Sequence, residues 1–182
     1  MVKFLLIVCL FLQGGFVQSK LVANVLQNIE ASQVDFDGKK IRLAGDVHIN
    51  HQFGEIRCEK GVLLLDEQRV QDKKHMPSRI LLSGSVEIKL KDGSVLTSDE
   101  ADIDCKNLEG VFSSTPPNKV TYLTLFLEQG KTVPVKALSR AMRVLMKKSD
   151  GPKSEYVVSD VQGIGAVSVQ YQNNLTEEVK SP

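Results

Sequence analysis

The sequence has no tryptophan, and its other aromatic residues are only seven phenylalanines and three tyrosines. That leaves no dense aromatic platform for stacking unpaired bases. Neither sign of charge dominates, with 23 basic against 22 acidic residues. A nucleic-acid surface would be clearly basic, so no nucleic-acid partner is expected. Cysteine is sparse and never occurs as CxxC, which removes the usual zinc and dithiol motifs. Gly163-Ile164-Gly165 lacks the third glycine and following helix of a dinucleotide loop, and reads as a strand bend. No Ser-His-Asp or Cys-His set has supporting spacing. Hence no enzyme activity, catalytic residue, metal or cofactor is expected.

Long apolar runs are equally scarce. The longest is Phe4 to Leu12, well short of the roughly 20 residues that span a bilayer. Lys3 precedes it, and Gln13, Gly14 and Gly15 follow. Val17-Gln18-Ser19 is an acceptable small-residue cleavage site, so residues 1–19 have the layout of a secretory signal peptide cut after Ser19. Cys9 lies mid-run after bulky Val8, which disfavours a lipoprotein site. Of the charged residues only Lys3 falls in this segment, so the remainder balances at 22 of each sign. Cys58 and Cys105 remain. Export would permit a disulfide between them; two small buried thiols are the other reading.

What the chain does have is alternation. Ile41, Leu43, Val47 and Ile49 point one way, and Arg42, Asp46, His48 and Asn50 the other. The phrase returns at a constant offset of 39 residues: Gly84 matches Gly45, Val86 matches Val47, and Ile88 matches Ile49. In this copy Ile80, Leu82, Val86, Ile88 and Leu90 share one face, opposite Ser83, Ser85, Glu87, Lys89 and Lys91. Lys91-Asp92-Gly93-Ser94 is a hairpin signal. The return strand sets Ala101, Ile103 and Cys105 against Glu100, Asp102 and Asp104. Each copy is a half-buried antiparallel pair with one apolar face.

Thinner copies follow. Thr124–Lys131 resembles the rise to Gly93, Ser139–Met142 the return strand, and Gly165–Val169 the stretch Gly84–Ile88. Ile29 to Phe36 reads as a leading strand, with a turn over Asp37–Lys40. Loops are expected at Gln68–Ser78, Ser113–Asn118 and Lys147–Ser154. The domain runs over 20–172, with a polar tail at 173–182. ALSRAMRVLMKK, 137–148, has good helix formers, but the repeat register makes it a strand.

Successive hairpins with one apolar face each bury those faces only by folding the sheet onto itself, as a sandwich, barrel or roll. Gly45, Gly84 and Gly165 recur inside strands, where glycine marks bulges and bends. Repeated bends at one level would let the sheet curl into a groove.

The order of these phrases resembles the LptA or OstA-like family of periplasmic lipopolysaccharide-transport proteins. The resemblance lies in Ile29, Glu30 and Asp35 of the leading strand, then Gly45-Asp46-Val47-His48-Ile49, then the turn at Gly54. KVTYLTLFLEQGKTVPVKALSRAMRVL (119–145) and GIGAVSV (163–169) look like the C-terminal half. It covers nearly all of the mature chain, departing from the family pattern around Cys58-Glu59-Lys60, where the return strand is one residue short and the facing of Val62 to Leu65 is left open. It implies an all-β fold, a twisted antiparallel β-jellyroll or open β-roll of about sixteen strands built from repeated hairpins. It also implies a periplasmic role, carrying lipopolysaccharide from the inner to the outer membrane with the lipid A acyl chains held between the sheets.

A groove for acyl chains needs a continuous apolar wall. Each buried CH₂ is worth roughly 0.8 kcal/mol, so a chain of about fourteen carbons gains about 11 kcal/mol gross. The expected wall is Val47, Ile49, Leu82, Val86, Ile88, Leu90, Val95, Ile103, Leu125, Leu127, Val144, Val167 and Val169, with Ile41, Leu43, Ile56 and Met142 beside them. The same residues would also fill a dry core. The resemblance further implies edge-to-edge assembly: Glu30, Val34 and Phe36 on the first edge, and Gly165, Val167 and Val169 on the last. The implied partners are an inner-membrane LptC-like roll, an outer-membrane LptD-like roll, and further copies of the chain, head to tail.

The polar groups read as surface. Asp99, Glu100, Asp102 and Asp104 fit a solvated strand face better than a calcium site. His48, His51 and His75 fall on an outer face or in loops. Lys89, Lys91 and Lys131 are solubility charges or contacts to lipid A phosphates. Two other readings stay open: an LptC-like membrane-anchored protein of the same fold, and a secreted structural or adhesive β-repeat with a dry core.

Overall fold

The alternating segments are strands throughout the computed structural model, which describes residues 29–65, 77–128, 130–149 and 156–171. The expected signal peptide, tail and His75 lie outside the described residues, as do most of the loop at 68–78 and part of that at 147–154. Twelve strands follow in chain order: β1 (Ile29–Glu30), β2 (Gln33–Phe36), β3 (Lys40–His51), β4 (Gly54–Leu65), β5 (Pro77–Leu90), β6 (Val95–Asp104), β7 (Glu109–Ser113), β8 (Val120–Glu128), β9 (Lys131–Ser139), β10 (Ala141–Lys148), β11 (Tyr156–Ile164) and β12 (Ser168–Tyr171). Every pairing is antiparallel. The helix formers at 137–148 sit in β9 and β10. There the ladders to β7, β8, β11 and β12 override weak local propensity.

The repeated glycine is a bulge. Gly45 (φ 75°) and Asp46 (φ 47°) are consecutive left-handed residues in β3, and Gly84 (φ 78°) and Ser85 (φ 47°) are their counterparts in β5. Across each, the register slips: Ala44 faces Lys60 but Val47 faces Cys58, and Ser83 faces Glu100 but Val86 faces Ser98. The residue missing near Cys58-Glu59-Lys60 is therefore the partner that a bulged strand does without. Gly84 is also favoured by space, because a Cβ there would lie 2.8 Å from that of Glu59.

These bulges line up with the breaks between β1 and β2, β7 and β8, β9 and β10, and β11 and β12. Ser32 N donates to Gly45 O (2.8 Å), and Ser85 Oγ to Glu59 Oε1 (3.3 Å). Asp99 N donates to Ser114 Oγ (3.1 Å), and Ser114 N to Arg140 O (3.1 Å). A Cβ on Gly165 would stand 3.9 Å from that of Arg140. On one side of this line the strand order is β1-β3-β4-β5-β6-β8-β9-β12, and on the other β2-β3-β4-β5-β6-β7-β10-β11. The long strands β3 to β6 belong to both. Eight segments thus lie on each side, which is the expected sixteen-segment roll with its bends at one level. Gly165 falls between β11 and β12 rather than inside a strand.

One core cluster contains residues of both halves, so their apolar faces turn toward each other. At the far ends from the bend, aspartates close the turns: Asp37 accepts from Lys39 N and Lys40 N, Asp92 from Ser94 N, and Asp104 from Lys106 N and Asn107 N. Val158 N also donates to Asp92 Oδ2 (3.4 Å), which ties the lip of one half to the lip of the other.

Candidate functional site

The inner face is built from rungs that cross the whole sheet. On one side of the bend, Ile29, Ile49, Ile56, Ile88, Leu96, Tyr122, Ala137 and Val169 stand in register. On the other, Phe36, Ile41, Leu63, Ile80, Ile103, Gly110, Val144 and Val161 do. Alternation along each strand then places Val47, Leu82, Val86, Leu90 and Met142 on the same face. Val47, Ile49, Leu82, Val86, Ile88, Leu90, Ile103 and Val144 are all buried there.

Three expected wall residues face the other way. Val95 is half-buried beside Lys89, and its neighbour Leu96 takes the inward place opposite Ile88. The inward parity changes along β6, from Leu96 and Ser98 to Ala101 and Ile103, so counting back from Ala101 gives the wrong face. Leu125 and Leu127 lie on the outward face of β8, with Leu123. The inward set on β8 is Val120, Tyr122, Thr124 and Phe126. Tyr122 to Leu127 is nearly apolar at both parities, so a period of two is silent there. Only the pairings Leu96–Tyr122 and Tyr122–Ala137 settle its facing. Phe53 and Phe112 also belong to the core, although alternation does not reach the turn that holds Phe53.

The inner space is filled at one end and open at the other. From β3 to β6 the inward side chains are almost wholly covered. Toward the last strands they become accessible: Phe126, Val167, Val169 and Tyr171 face or rim the interior and are 49–67% exposed. Val167 packs over Gly163, where a Cβ would meet its Cγ2 at 2.6 Å.

Among the described residues both ends of the sheet are unpaired edges: β1 and β2 pair only with β3, β11 only with β10, and β12 only with β9. Glu30 stands outward opposite His48, Val34 lies inward beside Leu43 at the free margin, and Phe36 packs on the core. Gly165 and Val167 lie between β11 and β12, and Val169 lies in β12.

The polar groups are mostly committed to the fold. Arg79 holds Asp102, Arg143 holds Glu109 (2.7 and 2.8 Å), and Arg42 holds Asp35 and Asp37. Hydrogen bonds to backbone N–H groups pull the carboxyls of Asp37 and Asp104 below their ordinary range, and the Arg143 hydrogen bond does so for Glu109. Asp99 accepts from Thr115 N and Asn118 Nδ2. Among the described residues no group of three or more His, Cys, Asp or Glu is placed to hold a metal. Lys89 lies 3.4 Å from Glu87 on the outer face. Cys58 and Cys105 are separate buried thiols, and burial pushes Cys58 up to about 11.

His48 is outward, 4.0 Å from both Glu30 and Glu55. His51 is not. It lies on the inward face of β3 at the lip, its ring 4.0 Å from that of Phe53, and neither ring nitrogen has a hydrogen-bond partner. Burial first and the Lys91 charge second push it down to about 4. Ser94 Oγ donates to Thr124 Oγ1 (2.9 Å) and shares a hydrogen bond with Tyr122 Oη (3.3 Å).

Among the described residues no helix is long and apolar enough to cross a membrane. No protein-family model and no curated protein matches the sequence. Among solved structures, the fold is similar to the crystal structure of LptH, the LptA-homologous periplasmic component of the lipopolysaccharide transport device of Pseudomonas aeruginosa. The match has a TM-score of 0.51 at 9% identity and covers 80% of this chain and 94% of that one. The chain has the LptA-like β-jellyroll fold.

Proposed function

We propose that the protein is a periplasmic lipopolysaccharide-transport component that shields lipid A acyl chains on its inner face. The observation that carries this reading is one apolar face, continuous over both eight-segment halves and open at the β9–β12 end, on an LptA-like fold. The free edges, β1 with β2 and β11 with β12, suit addition of strands from inner-membrane and outer-membrane β-roll partners or from further copies. The tight packing between β3 and β6 requires the halves to part before a lipid passes along their whole length. It also favours, as the second reading, a dry-cored structural module.

Photo-crosslinking separates the two. A photoreactive residue at Val169, on the open inner rim, or at Ile88, deep inside, yields lipopolysaccharide adducts in the transport reading. One at Val111, on the outer face of β7 in the other half, does not. Absence of adducts at both inner sites, in protein purified from cells making lipopolysaccharide, leaves the structural module.

A further inference from the structure

β6 releases β8 at the pair Val95–Leu123, but β8 and β9 stay paired as far as Glu128–Lys131. On the other side, among the described residues, β12 pairs with β9 as far as Val135. The paired segments Thr124–Glu128 and Lys131–Pro134 therefore form a ribbon that extends beyond the described strands on both margins. Strand alternation gives it two apolar faces, Leu125 and Leu127 outward and Phe126 and Val133 inward. Leu125, Phe126 and Leu127 are 62%, 59% and 70% exposed, successive side chains on opposite faces.

A ribbon that docks on a protein surface needs one apolar face. A ribbon apolar on both faces suits a medium that surrounds its tip. Exposed charge lies around it: Lys131 at the turn opposite Glu128, and Lys136 on the outward face opposite Leu123. Cations beside apolar side chains are the pattern by which peripheral proteins hold anionic lipid. The backbone margins, which no described strand pairs, set the depth, because unpaired N–H and C=O groups do not enter hydrocarbon. The side chains enter while the backbone stays at the wet headgroup level.

We propose that the β8–β9 ribbon is a lipid-surface anchor, with Leu125, Phe126 and Leu127 entering the headgroup–acyl boundary of an anionic bilayer and Lys131 and Lys136 meeting its phosphates. It stands whether or not the inner face carries lipid, since Leu125 and Leu127 are on the outside of the roll.

The chain has no tryptophan, so Leu127→Trp is a clean reporter. Its emission shifts to the blue on adding phosphatidylglycerol–phosphatidylcholine vesicles, and much less with phosphatidylcholine alone. Co-sedimentation of the otherwise unaltered chain with the anionic vesicles weakens about tenfold or more in Leu125→Ser/Leu127→Ser. Circular dichroism of that variant stays unchanged, because both side chains are exposed. Lys131→Gln/Lys136→Gln lowers binding to anionic vesicles only. Absence of a blue shift, or sedimentation indifferent to the double serine change, overturns the proposal. So does a double serine variant that loses concentration-dependent self-association while vesicles leave the tryptophan unmoved, which would make the ribbon a contact between copies.

Discussion

Gly54 and Lys89 bring two backbones together at the lip of the roll: a Cβ on Gly54 would sit 2.1 Å from the Lys89 carbonyl oxygen. Gly54 opens β4 opposite Leu90 and has φ 156°, a region almost confined to glycine. Any side chain there must push β4 from β5 where the hairpin carrying Phe53 turns. Gly54→Ala is expected to cost about 3 kcal/mol or more, read as a fall in the urea midpoint at unchanged slope. A loss under about 0.5 kcal/mol, the ordinary scatter of surface changes, would mean the strands are further apart than this.

The division between inside and outside makes a second test. Ile88 is 1% exposed in the inner rung, whereas Leu125, assigned by simple alternation to the same wall, faces out. Ile88→Ala removes packed methyl groups and is expected to cost about 2–5 kcal/mol. Leu125→Ala is expected to stay within about 0.5 kcal/mol. Equal losses at the two positions would put Leu125 back inside.

Those two residues also mark where the sequence is readable. In β3 and β5 polar residues alternate cleanly with Ile, Leu and Val, so the inward set follows from a period of two. In β8 the run Tyr122–Leu127 offers apolar side chains to both faces, and long-range pairing alone decides. Val95 fails for another reason: the inward parity changes within β6, and a count carried back from Ala101 crosses that change. His51 was hidden because polarity argues for the surface, while its parity with Val47 and Ile49 places it inside. Gly45 and Gly84 were legible as bends because nothing else explains a glycine repeated within strands. That all the bends share one line, and that the inner face opens toward β12, depends on register between distant strands and had no local signal.

His51 predicts a pH dependence of stability. Its folded value is lowered from 6.5 to about 4, so between those values the unfolded chain binds more protons than the folded one. Stability from the neutral, buried ring is therefore fully present above about pH 6.5 and is lost as pH falls toward 4. Between pH 7.5 and 5 the loss is about 2 kcal/mol. Asp37, Asp104 and Glu109, with carboxyls lowered in the folded state, lose their contributions mainly below this window. Urea midpoints at pH 7.5 and 5 should converge in His51→Leu, which keeps the apolar contact with Phe53 and has no proton to gain. The same pH slope in that variant would place the titrating group elsewhere.

The leading edge can be tested without unfolding the roll, because its hydrogen-bond pattern is fixed. Leu65 N donates to Lys39 O, so odd-numbered residues at the start of β3 bond toward β4. Its even-numbered residues then bond toward β2, as the Asp37 N to Lys40 O bond confirms. Val34 stands opposite Leu43, so it is a non-hydrogen-bonded pair and its N–H points to the free margin. Val34→Pro removes that donor and blocks a strand from adding there, yet breaks no bond to β3. It is expected to lower site-specific crosslinking to a β-roll partner or a second copy several-fold, while the urea midpoint shifts by no more than about 1 kcal/mol in free energy. Val167→Pro makes the same test at the far edge, where residue 167 has no ladder partner. If both variants crosslink as well as the unaltered chain, assembly does not proceed through strand addition at these edges. If Val34→Pro alone is impaired, only the β1–β2 edge docks, and the open end near β12 is left for lipid.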